Sequence, residues 1–78
     1  MKKASASQSR VVQIREEPIE LAQFLKFAGL SESGGQAKQA IADGEVLLNG
    51  AVETRKGKKL VAGDKVTYAG ETLVVEVE

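Results

Sequence analysis

The sequence predicts an α+β fold: a helical hairpin packed on a small twisted, mostly antiparallel β-sheet. Three observations point there. The chain has 78 residues, enough for one domain. Apolar residues in its first half recur at spacings of three and four, the period of one helical face. Apolar residues after position 45 alternate and are broken by Asn-Gly and Gly-Asp pairs, which is the pattern of short strands joined by turns.

Residues 1–9 are Ser, Ala, Gln and Lys without apolar period and read as a flexible basic tail ahead of a domain spanning 10–78. Val11, Val12 and Ile14 suit a short first strand. Pro18 suits the first turn of a helix, where no N–H donor is needed. Leu21, Phe24, Leu25 and Ala28 continue that helix as one apolar face, with Glu16, Glu17 and Glu20 at its positive end. Gly29 fits the left-handed residue that closes it. Ser33 and Gln36 form a capping box for a second helix, whose apolar stripe is Ala37, Ala40 and Ile41 and whose end is Gly44.

The second half reads as strands. Val46 and Leu48 share a face, and Asn49-Gly50 is a strong signal for a tight hairpin returning through Ala51 to Glu53. Arg55 to Lys59 make a basic loop around Gly57. Leu60 and Val61 follow, Gly63-Asp64 turns, and Val66 and Tyr68 alternate. Ala69-Gly70 turns into a last strand carrying Leu73, Val75 and Val77 on one face.

Composition excludes most catalysis. Without Cys there is no disulfide and no thiolate ligand, and without His the commonest general base and metal ligand is missing. The Gly50 to Gly57 interval fails the spacing of a phosphate-binding P-loop, and Lys58 is followed by Lys59 instead of Ser or Thr. The acidic pairs read as solvated charges, since a domain that buries only about 60% of its unfolded surface has little room for a pocket between two carboxylates. No cofactor or metal is expected. No apolar run approaches the length of a membrane span, and a cytoplasmic location is the default.

Net charge is zero, yet the charges are segregated. Residues 1–15 carry four cations and no acid, residues 16–25 and 66–78 carry only acids, and Arg55, Lys56, Lys58 and Lys59 put four cations into five positions. A cluster of that density attracts phosphates. Lys38, on the exposed side of the second helix, extends the patch. Gly34 and Gly35 open that helix, where N–H groups are free and a bare backbone lets an anion approach.

The string from Ser33 to Gly50, SGGQAKQAIADGEVLLNG, resembles the alpha-L RNA-binding motif of the ribosomal protein S-four family. That pattern reads roughly S-R-x-x-A-x-x-L-I-x-x-G-x-V-x-V-N-G. Ser33, Ala37, Ile41, Gly44, Val46, Asn49 and Gly50 fall in register, and Gly63-Asp64 matches a later element. The resemblance covers about Leu21 to Val66. The segments Ser31 to Lys38 and Val52 to Lys56 are similar to those of the short stand-alone YbcJ/YaaA-type members. One position departs: Gly34 stands where the family often has Arg.

The resemblance implies a non-catalytic module that binds structured RNA, of ribosomal or transfer class or within the ribosome. Lys38, Arg55, Lys56, Lys58 and Lys59 would hold phosphates, the N–H groups of Gly34 and Gly35 would assist, and Gln36 and Asn49 would be polar contacts. Asn49 doubles as the turn residue. The alternative is a protein-interaction adaptor using the same surface or the edge of the C-terminal strand, with Glu76 and Glu78.

Overall fold

The structure is a computed structural model and describes residues 9–78. The tail expected over 1–9, with Lys2 and Lys3, lies outside the described residues except for Ser9, which opens the first strand. In chain order the elements are β1 (Ser9–Ile14), β2 (Ile19–Glu20), α1 (Leu21–Phe27), α2 (Gly34–Ala42), β3 (Leu47–Leu48), β4 (Ala51–Val52), β5 (Lys59–Leu60), β6 (Lys65–Tyr68) and β7 (Glu71–Val77).

A five-stranded sheet has the order β1-β7-β6-β3-β4, and β2 and β5 form a separate two-stranded ladder. β1 lies parallel to β7, with Val12 beside Val75, and every other pairing is antiparallel. The sheet is therefore mixed but mostly antiparallel, as expected. β7 is not available to a partner as an edge, because β1 and β6 flank it on both sides. The edges of the sheet are β1 and β4, so the adaptor reading loses its C-terminal edge.

The core lies between the helical hairpin and the sheet. Leu21, Phe24, Leu25, Ala37, Ala40 and Ile41 are all buried, against Val46, Leu60, Val66, Leu73 and Val75. The alternation expected for the last strand is the burial pattern seen, with Leu73 and Val75 inside.

Pro18 does not open the first helix. Residues 19–20 pair with β5 instead, Ile19 opposite Leu60 and Glu20 opposite Lys59, and the helix starts at Leu21. Its first turn holds no acid; Glu20 is the residue before it. Both helices close alike. Gly29 has φ +82, its N–H donates to the Lys26 carbonyl, and the Leu30 N–H donates to Leu25. Gly44 and Glu45 repeat this on Ile41 and Ala40, so each end satisfies two otherwise orphaned carbonyls.

The Asn49-Gly50 turn has φ +52 and +88, positive at both central residues as this hairpin requires. Asn49 also does more than turn. Its Oδ1 accepts from the Lys65 N–H at 2.9 Å, and its Nδ2 donates to Asp64 Oδ1 at 3.2 Å. Asp64 Oδ2 accepts from the Val61 N–H at 3.0 Å, so Asn49 and Asp64 together tie the first hairpin to the start of β6. No described helix is long and apolar enough to cross a membrane.

Candidate nucleic-acid interface

The basic loop is not a free strap. The first N–H groups of a helix lack intrahelical partners, and in α1 two of them are answered from the loop. The Leu21 N–H donates to the Lys58 carbonyl at 2.9 Å, and the Ala22 N–H donates to the Lys56 carbonyl at 3.2 Å. The Lys58 N–H in turn donates to the Arg55 carbonyl at 3.2 Å. The backbone that carries Lys56 and Lys58 is thus pinned to the start of α1. Neither side chain has an ion-pair partner among the described residues.

The other two cations of the cluster are committed to acids. Arg55 grips Glu53 with Nε to Oε2 at 2.9 Å and Nη2 to Oε1 at 3.2 Å, and its own N–H donates to the same carboxylate at 3.0 Å. Lys59 Nζ lies 3.1 Å from Glu20 Oε2, across the β2–β5 ladder. The four-cation cluster therefore divides into a neutralised pair, Arg55 and Lys59, and a free pair, Lys56 and Lys58.

The fork on Glu53 leaves a mark on its titration. Side-chain hydrogen bonds from Arg55, then its backbone N–H, hold the Glu53 pKa at about 2, down from an ordinary 4.5. The Arg55 guanidinium holds its proton more tightly in return. A carboxylate with a depressed folded pKa stabilises the fold above its unfolded value and loses that contribution as pH falls through the folded one. The window here runs from about pH 4.5 down to about pH 2. Glu53→Gln is expected to flatten the acid limb: in thermal melts the variant should lose less stability than the parent across that window. Equal slopes for the two proteins would show that the pair is not formed in solution.

At the second helix, Ser33 caps as expected: its Oγ accepts from the Gln36 N–H at 3.1 Å. The return bond differs. Gln36 Oε1 accepts from the Glu32 N–H at 2.6 Å, one residue further out than a reciprocal box would have it. The Gln36 carbonyl oxygen is thereby occupied within the protein, and its amide nitrogen is the end left to serve as a donor. Gly34 and Gly35 have room to spare. A Cβ on Gly34 would meet nothing within 4 Å, and one on Gly35 only Ser33 Oγ at 3.9 Å. Packing within the chain does not require either glycine. Lys38 is exposed on α2 and, among the described residues, unpaired.

Sequence reasoning missed a groove beside α1. It is an open groove of about 560 Å³ between the end of β1, the β1–β2 connection and the exposed face of α1. Phe27 forms one wall and is 59% exposed. The available signal was its position off the Leu21–Phe24–Leu25–Ala28 stripe.

Comparison with known proteins agrees with this architecture. The sequence pattern of the S4 domain matches residues 12–76. A protein of Escherichia coli (strain K12) named "Putative RNA-binding protein YbcJ" is 56% identical over 57 residues, 73% of this chain and 81% of that protein. "Probable ribosome maturation protein RlbA" of Bacillus subtilis (strain 168) is 44% identical over 59 residues, 76% of this chain and 83% of that one. The solution structure of the E. coli YbcJ protein, described as revealing an αL motif involved in RNA binding, superposes with a TM-score of 0.61 at 44% identity. It covers 96% of this chain and 94% of its own. Two short helices capped by Ser33, Gly29 and Gly44, packed on this sheet and matched along nearly the whole domain, place the chain in the S4-domain family.

Proposed function

We propose that the chain is a non-catalytic module that binds structured RNA of the ribosomal or transfer class, with Lys56 and Lys58 as its principal phosphate contacts. The observation that carries this is the pinned loop. Two lysines without an ion-pair partner among the described residues sit on a backbone fixed by hydrogen bonds to α1, so binding need not bear the entropy cost of ordering a free loop. Lys38 and the N–H groups of Gly34 and Gly35 extend the surface, and Arg55 and Lys59 support it from within their ion pairs. The names of the YbcJ and RlbA relatives favour RNA and the ribosome as the setting, and with them a cytoplasmic location. Absence of His and Cys argues for binding over catalysis.

Phosphate contacts position a protein without reading sequence, and RNA helices are recognised largely by shape. Binding should therefore favour a folded transfer RNA or ribosomal hairpin over an unstructured strand of equal length, and weaken steeply with salt. Failure to bind any such RNA at low salt would remove the reading.

The two glycines give a sharper check. A glycine in a helix costs up to about 1 kcal/mol against alanine. Gly34→Ala with Gly35→Ala should raise the melting temperature, because both sites have space. The same change should weaken RNA binding, since added methyl groups stand between phosphate and backbone. Higher stability with unchanged affinity would remove the helix start from the interface.

A further inference from the structure

We infer that the groove beside α1 receives a single unstacked nucleobase of the bound RNA, with Phe27 as its stacking surface. The inference rests on the RNA-binding reading above and adds a second site to it. The groove is open to solvent and has a volume of about 560 Å³, room for one planar base lying against its wall. Its apolar lining comes from Ile14, Pro18, Ile19 and Phe27, and Phe27 is an exposed residue. An exposed ring beside a concave apolar surface offers a π-face on which a base of any identity can stack.

The rim argues for a nucleotide over an apolar side chain of a protein partner. Arg15 and Lys26 both line the groove, and neither has an ion-pair partner among the described residues. Among the lining residues Glu16 is the one acid against these two cations, a balance suited to a phosphate flanking a flipped-out base. The neighbouring acids Glu17 and Glu20 are engaged elsewhere, by the Ala62 N–H and by Lys59. Gln23 and Glu16 supply a donor and acceptors at the edge, where a base presents its polar groups. The location fits as well. Lys56 and Lys58 are bonded to the first residues of α1, and Phe27 is its last. Seven helical residues span about 10 Å, so one RNA hairpin can reach the lysines and the groove together.

The test uses the whole chain and two RNA hairpins with the same stem, one fully paired and one with a single bulged adenosine. Stacking of one base on an aromatic ring is expected to make the bulged hairpin bind about five- to 150-fold more tightly. Phe27→Ala should erase that preference and leave the affinity for the paired hairpin unchanged, and Phe27→Trp should keep it. The Phe27 ring proton resonances should shift with the bulged hairpin and not with the paired one. Equal binding of the two hairpins by the parent protein, or a preference that survives in Phe27→Ala, overturns the base site and leaves the RNA reading standing. Absence of binding to either hairpin at low salt overturns both. If both hairpins bind alike and Phe27→Ala instead changes the sedimentation of the free protein, the groove is a protein contact and the inference fails.

Discussion

Replacing Lys56 and Lys58 together with alanine is expected to weaken RNA binding about 60-fold at 0.1 M salt. The figure follows from counterion release. Each phosphate neutralised on a duplex contributes a slope of about 0.9 in log affinity against log salt, hence about 0.9 of a decade at 0.1 M relative to 1 M. Two contacts give nearly two decades, and the measured slope should fall by about two units. The matched control is Arg55→Ala with Lys59→Ala, which removes the same formal charge. Those side chains already spend their charge on Glu53 and Glu20, so this variant should lose much less affinity and little slope. The two double variants differ in no net charge, and both alter exposed or half-buried side chains. A difference between them therefore reports pairing and position. Equal losses would mean that the ion pairs open to meet RNA, and that all four cations act alike.

Local patterns in the sequence were enough for the helices' apolar faces, both glycine-closed helix ends and the Asn49-Gly50 hairpin, because each is set by residues within one turn of chain. What sequence reasoning missed depends on partners far away. The start of α1 is fixed by carbonyls of Lys56 and Lys58, more than thirty residues downstream, and by the pairing of β2 with β5. No local preference of Pro18 reports that. The last strand reads as an edge open to a partner, yet β1 pairs with it in parallel, Ser9 beside Thr72 through Ile14 beside Val77. The division of the basic cluster was half legible. Glu53 and Arg55 are two apart, which places them on one side of an extended chain. Lys59 and Glu20 meet only through the fold. The Asn49–Asp64 tie shows the same limit: the turn was evident, and its bond to a residue fifteen positions on was not.

Phe24→Ala is expected to destabilise the domain by about 3–5 kcal/mol. Phe24 is among the largest fully buried side chains and lies in the core cluster formed by the helical hairpin and the sheet. Truncation removes its transfer free energy and leaves a cavity that short elements on both sides cannot close without losing register. Native domains carry about 0.05–0.15 kcal/mol of stability per residue. For 78 residues that amounts to about 4–12 kcal/mol in all, so the loss takes a large fraction of it. With about 4–8 °C per kcal/mol for domains of this size, melting should fall by at least about 12 °C by circular dichroism. The effect reaches the interface as well. Phe24 is on α1, and α1 fixes the loop through Leu21 and Ala22. RNA affinity should therefore fall along the melting transition of the variant, at temperatures where the parent still binds. Phe27→Ala, at an exposed position of the same helix, should leave melting within about 1 kcal/mol of the parent. A small shift for Phe24→Ala, under about 4 °C, would mean that the helical hairpin is not packed as described and that the loop owes its geometry to something other than α1.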